Sequence, residues 1–115
     1  MEMEIDLSYL KSMSAGDNNL IKEMIDIFKE QVPEFISEMK LAINNNDSKA
    51  MASVAHKAKS SVAIIGITEL AEFLKTLEII ATNNERKDEY PEFLNYFETT
   101  SKEAIKLLNK ISLDL

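Results

Sequence analysis

Leu20, Met24, Phe28, Val32, Phe35, Met39 and Ile43 recur at steps of three or four. This spacing keeps one side of an α-helix apolar for about six turns. A strand cannot use it, because strand side chains alternate between two faces. The stripe passes through Pro33 without losing register. The proline removes one backbone donor and crowds the preceding turn, so it marks either a kink or the first turn of a second, nearly coaxial helix. Asp17, just ahead of the stripe, is suited to cap the helix.

Three further segments repeat the pattern. "NNND" at Asn44–Asp47 is a turn, since Asn and Asp tolerate the left-handed conformation and cap helices with their side chains. A helix then runs from near Ser48 to about Ile65 and stops at Gly66, the residue type that best accepts a left-handed C-terminal cap. Thr68 and Glu69 have the character of the cap and first turn of the next helix, which carries Leu70, Phe73, Leu74, Leu77, Ile80 and Ala81. "NNERKD" at Asn83–Asp88 interrupts the pattern. A last helix starting between Asp88 and Pro91 carries Phe93, Leu94, Phe97, Ala104, Ile105, Leu108 and Ile111.

Near the N-terminus, "IDLSYLKSM" allows a short helix from about Asp6 to Met13. Two glycines and two prolines in 115 residues leave too few turn residues for an all-β chain. The expected fold is all-α, an antiparallel up-down-up-down four-helix bundle with a short extra N-terminal helix, in a single domain over residues 1–115.

Charge and residue usage narrow the chemistry. Twenty acidic residues against 13 basic ones give a net charge of −7, which repels nucleic acid and anionic lipid. There is no cysteine and a single histidine, so disulfides, thiolate metal sites and multi-histidine metal sites are excluded. The start "MEMEIDL" has the wrong sign for a secretory leader, and the apolar runs are short for a bilayer span. A monomeric cytoplasmic protein is expected, and Met1 with the acidic start favours a free-standing chain over a piece of a larger one.

The one histidine, His56, stands in "SVAHKAKSSVAIIGI". At about 100° per residue, Met51, Val54, Ala55, Ala58, Val62 and Ile65 share an arc of roughly 100°, the width of a core stripe. His56 lies roughly 140° from its centre and faces solvent. Its surface neighbours, three and four positions away, are Ala52, Ser53, Lys59, Ser60 and Ala63. Apart from the lysine all are small, which leaves the ring open to a macromolecular partner. Lys59 at i+3 puts an ammonium within reach of a group attached to the imidazole and could offset the charge of a phosphoryl group there.

"AHKAKSSVAIIGITELAEFLKTLE", Ala55–Glu78, resembles the signature of histidine-containing phosphotransfer (HPt) domains, through Ala55, His56, Lys59, Ser61, Gly66, Leu70, Leu77 and Glu78. Two positions depart from it. Ala58 stands where the family has a larger apolar residue, a loss that a facing Phe28 or Phe73 could offset. Ser60 stands where the family has Gly, and its hydroxyl could crowd a docked partner or hydrogen-bond the phosphoryl group.

The resemblance implies a four-helix bundle acting as a phosphocarrier. His56 Nε2 would take a phosphoryl group from the aspartate of one receiver domain, often on a hybrid sensor histidine kinase, and pass it to the aspartate of a response regulator. Lys59 and Ser60 would stabilise the phosphoryl group. Ala52, Ser53, Ala63 and Ile64, the last outside the core arc, would form the docking surface. The chain would bind no cofactor or metal of its own, the receiver supplying Mg²⁺ and the acidic pocket. No Gly-rich phosphate loop occurs, so autonomous kinase activity is not expected.

Other chemistries fit less well. A carboxylate-bundle metalloenzyme needs inward Glu-x-x-His pairs, and "KSS" at Lys59–Ser61 forms no triad. The alternative is a helical interaction module that binds a receiver or another partner without phosphotransfer.

Overall fold

The structure, a computed structural model, describes residues 3–115; Met1 and Glu2 of the acidic start lie outside the described residues. The chain forms α1 (Ser8–Met13), α2 (Asn18–Asn44), α3 (Ser48–Ile65), α4 (Thr68–Thr82), a short 3-10 turn at Lys87–Glu89, and α5 (Tyr90–Leu113). The four long helices form the all-α bundle, with short α1 ahead of them. No strand occurs among the described residues.

α2 is 27 residues long, about 40 Å at 1.5 Å per residue, and sets the 42 Å long axis of the molecule. The Asp17 carboxylate accepts from the amides of Asn19 and Leu20. The helix runs unbroken through Pro33, so neither two helices nor a helix boundary exists there. Pro33 is exposed, which leaves water to satisfy the carbonyl that its missing N–H frees.

The buried face of α2 differs from the expected stripe at both ends. Phe28, Val32, Phe35 and Met39 are buried, joined by Ile21, Ile25 and Ala42. Leu20 is 38% exposed, while Met24 and Ile43 are half-buried. Leu20 lies roughly 90° from the centre of the buried arc, so the residue after it reaches the core instead.

The connection between α2 and α3 uses Asn46 in the left-handed region at φ +50° and Asp47 as cap, its carboxylate accepting from the Ala50 amide. α3 buries Met51, Val54, Ala55, Ala58, Val62 and Ile65, the whole of the expected arc. Gly66 closes α3 at φ +93°. Its carbonyl also accepts from the Asp6 amide at 2.9 Å. This ties the N-terminal segment to the α3–α4 corner.

Two expected boundaries move by one or two residues. Thr68 is the first residue of α4, not its cap; Ile67, fully buried, stands at the cap and its carbonyl accepts from Ala71. α1 begins at Ser8 and not Asp6, because the Asp6 carboxylate accepts from both the amide and the hydroxyl of Ser8 ahead of the helix. α5 begins at Tyr90 with Pro91 in its first turn, within the expected interval.

α3 packs along α4 on one side and α2 on the other, and α5 lies against α2. Aromatic side chains fill the seam between α4 and α5: Phe73 meets Phe93 edge-on at 5.9 Å and Tyr96 at 4.4 Å between ring centroids. Arg86, left-handed at φ +54°, grips the Glu89 carboxylate through two nitrogens and lies over the Phe93 ring at 5.2 Å. Of the two aromatic residues that could offset the small Ala58, Phe28 is buried in the core, whereas Phe73 is engaged with α5.

Candidate functional site

The middle of α3 carries the candidate site. Ala55 and Ala58, both fully buried, anchor the inner face, and His56 between them projects outward with its side chain 62% exposed. Lys59 follows one turn later on the side of α3 that faces α4.

α4 supplies a third residue, Glu78. Leu74 and Leu77 are buried, and Glu78 falls at the edge of that stripe with its side chain 25% exposed. One of its oxygens, Oε2, lies 3.0 Å from His56 Nδ1, and the other, Oε1, accepts from Lys59 Nζ at 2.7 Å. The Lys59 hydrogen bond above all, with the bond to His56, holds the Glu78 carboxyl below the ordinary carboxylate range against the desolvation of its position.

An ionised carboxylate only accepts hydrogen bonds. The nitrogen it faces, Nδ1, therefore carries the proton of a neutral ring, and Nε2 keeps its lone pair. The two ring nitrogens lie on different edges of the imidazole, so turning Nδ1 toward α4 turns Nε2 away from Glu78.

The remaining site residues surround this pair. Ser53, Ser60 and Ala63 are exposed and Ala52 is half-buried. The Ser60 hydroxyl donates to the backbone carbonyl of His56 at 3.2 Å, so it is turned back on its own helix. On the flank facing α2, Lys57 Nζ meets Glu38 Oε1 at 2.7 Å. Ile64 is half-buried and lines a shallow groove of about 130 Å³ with Ser61 of α3 and Met24, Ile27 and Phe28 of α2. Ile27 is 53% exposed there. Gly66 caps α3 and lies outside this cluster.

Glu78 could be seen in the sequence only as a motif residue. It stands 22 positions from His56, and only the packing of α4 on α3 brings the two together. A polar residue one turn after Leu74, on the margin of an apolar stripe, was the available signal.

No helix among the described residues is long and apolar enough to cross a membrane. A family model described as the Hpt domain matches residues 23–111, from the first turns of α2 almost to the end of α5. No curated protein and no solved structure gives a significant match.

Proposed function

The chain belongs to the Hpt domain family, whose members transfer phosphoryl groups in two-component phosphorelays, and on that premise we propose that it is a phosphocarrier with His56 as its reactive residue. The observation that carries this reading is the exposed ring of His56, with Nδ1 on Glu78 and Nε2 left as a free nucleophile.

Transfer of a phosphoryl group is mostly positioning and neutralisation of charge on the equatorial oxygens, so one well-placed nucleophile suffices on this side. Lys59 is the cation for those oxygens. One of its three N–H donors is engaged by Glu78, and two remain. Ser60 is a second donor one turn from His56, on condition that its hydroxyl leaves the helix carbonyl.

The donor and acceptor are receiver domains, one on a hybrid sensor kinase and one on a response regulator, and each brings its own aspartate and Mg²⁺. The chain itself acts as a cytoplasmic monomer without kinase activity. Small side chains at Ala52, Ser53 and Ala63 leave room around the ring, and Ile64 with the adjoining groove offers apolar area for docking.

The test mixes the protein with a phosphorylated receiver domain and follows acid-labile, alkali-stable phosphate. Wild type is expected to take the label and His56→Gln to lose it. Equal labelling of both overturns the proposal; receiver binding without labelling of either identifies an interaction module instead.

A further inference from the structure

We infer that Lys57 is a second cation for the phosphoryl group on His56 Nε2, held on Glu38 until the group arrives. The inference rests on the phosphocarrier reading and concerns which side chains meet the phosphoryl oxygens.

The imidazole settles on which flank of α3 the group sits. Nδ1 and Nε2 direct their in-plane bonds nearly opposite ways across the five-membered ring. With Nδ1 on Glu78 of α4, the Nε2 lone pair points away from α4, outward and toward the α2 flank. On that flank stands Lys57, next in sequence to His56 and about 100° further round the helix. Its Nζ lies 2.7 Å from Glu38 Oε1 of α2. Lys59, on the α4 flank, reaches phosphoryl oxygens from the other side of the ring.

Before transfer each ammonium has a carboxylate, and the surroundings of the ring are locally neutral. A phosphoryl group brings about two negative charges and three strong acceptor oxygens to a chain whose net charge is already −7. Glu38 then repels the group unless a cation stays between the two. The Lys57–Glu38 pair is suited to yield: its side chains are 51% and 45% exposed, and an exposed pair adds little to stability. The four-carbon stem and rotatable ammonium of a lysine let it turn from one acceptor to the other, or bridge both, without backbone movement. The Lys59–Glu78 pair is more enclosed, at 30% and 25%, and is the fixed half of the arrangement.

The experiment follows labelling of His56 by phosphoramidate, a small donor that needs no docking. The Nε2 lone pair forms the new N–P bond, the donor's own P–N bond breaks, and ammonia leaves from the donor's protonated nitrogen, so no further reactant is required. Lys57→Met is expected to be labelled about fivefold more slowly than wild type, the scale of one exposed charge pair. Glu38→Gln is expected to be labelled about threefold faster, because it frees Lys57 and removes the repelling carboxylate. Lys57→Arg keeps the charge and is expected to stay within about twofold of wild type. Both positions are exposed enough for these variants to keep the fold, which circular dichroism checks.

The opposite signs of Lys57→Met and Glu38→Gln carry the test. A pair that merely braced α3 against α2 would be lost alike in both, so equal slowing overturns the inference, as do wild-type rates in both. Absence of label on wild type overturns it as well. If the two variants split as expected but wild type exchanges no phosphoryl group with receiver domains, the phosphocarrier reading falls and the phosphoryl subsite stands. If wild type exchanges with receivers and the variants do not split, the inference alone falls.

Discussion

Asp6 and Gly66 meet backbone to backbone: the Asp6 amide donates to the Gly66 carbonyl at 2.9 Å, and any Cβ on Gly66 would overlap the carbonyl oxygen of Asp6. Gly66 is thus demanded twice, by its φ of +93° and by the N-terminal segment lying against it. Gly66→Ala is expected to destabilise the fold by about 2 kcal/mol or more, since the left-handed conformation alone costs roughly 1–2 kcal/mol for a residue with a Cβ. A thermal melt measures the loss. Amide exchange at Asp6 should show local release of the N-terminal segment well before global unfolding, and a wild-type melt with a protected Asp6 amide would contradict the prediction.

Acid should remove the contribution of Glu78. Its folded-state pKa lies below the ordinary value of 4.5, so near that pH the unfolded chain binds the proton more readily than the folded one. The contribution is complete above about pH 4.5 and is lost as pH falls through the lowered folded value. The stability gap between wild type and Glu78→Gln is therefore expected to narrow on going from pH 6 to below pH 4, as followed by urea unfolding. A gap that widens would reverse the assigned sign.

Lys59→Ala is expected to keep the fold, because a half-exposed ion pair contributes at most about 1 kcal/mol. Phosphoryl transfer should slow about 10-fold, the worth of one charge-assisted hydrogen bond. Ser60→Ala should cost less than threefold or so, since its hydroxyl is already engaged by the His56 carbonyl. Single-turnover transfer ranks the two, and a larger loss in Ser60→Ala would reassign the principal phosphoryl contact.

Ile27→Lys tests the groove beside Ile64. A charge at a side chain 53% exposed leaves the core intact but opposes apolar docking. Receiver-dependent transfer is expected to fall about 10-fold, equivalent to roughly 1.4 kcal/mol of binding. Labelling of His56 by phosphoramidate, which needs no docking, should stay at the wild-type rate. Equal effects on both reactions would place Ile27 outside the docking surface.

Ser101 is fully buried in α5 and its hydroxyl has no hydrogen-bond partner. Removing it relieves a desolvated polar group and raises helix propensity, so Ser101→Ala is expected to be stabilising by about 1 kcal/mol. For a domain of this size that is a rise of roughly 4 °C in Tm. A fall of similar size would mean that the cavity left behind outweighs the buried hydroxyl.

How much of this was legible from the amino-acid order depended on how one-sided each helix is. α3 has apolar residues on a narrow arc and small or polar ones elsewhere, so its buried set and the outward direction of His56 could be read directly. α2 begins with apolar residues on two adjoining flanks, Leu20 with Met24 and Ile21 with Ile25. Periodicity alone cannot choose between such flanks; the neighbouring helices do. Pro33 could be placed but not resolved, because its effect depends on whether the freed carbonyl reaches water. The pairing of Glu78 with His56 was out of reach for a different reason: it depends on the rotation of α4 against α3, which no spacing along one helix encodes.

The Lys57–Glu38 and Lys59–Glu78 contacts brace α3 from both sides, one carboxylate reaching from α2 and the other from α4. A helix held this way resists rolling about its own axis in either direction. Its buried stripe includes Ala55 and Ala58, whose short side chains offer little resistance to such a roll by themselves. The two ion pairs thus act as light stays added to a core that already fixes the helix, and the imidazole stands between two ammonium–carboxylate pairs, one toward α2 and one toward α4.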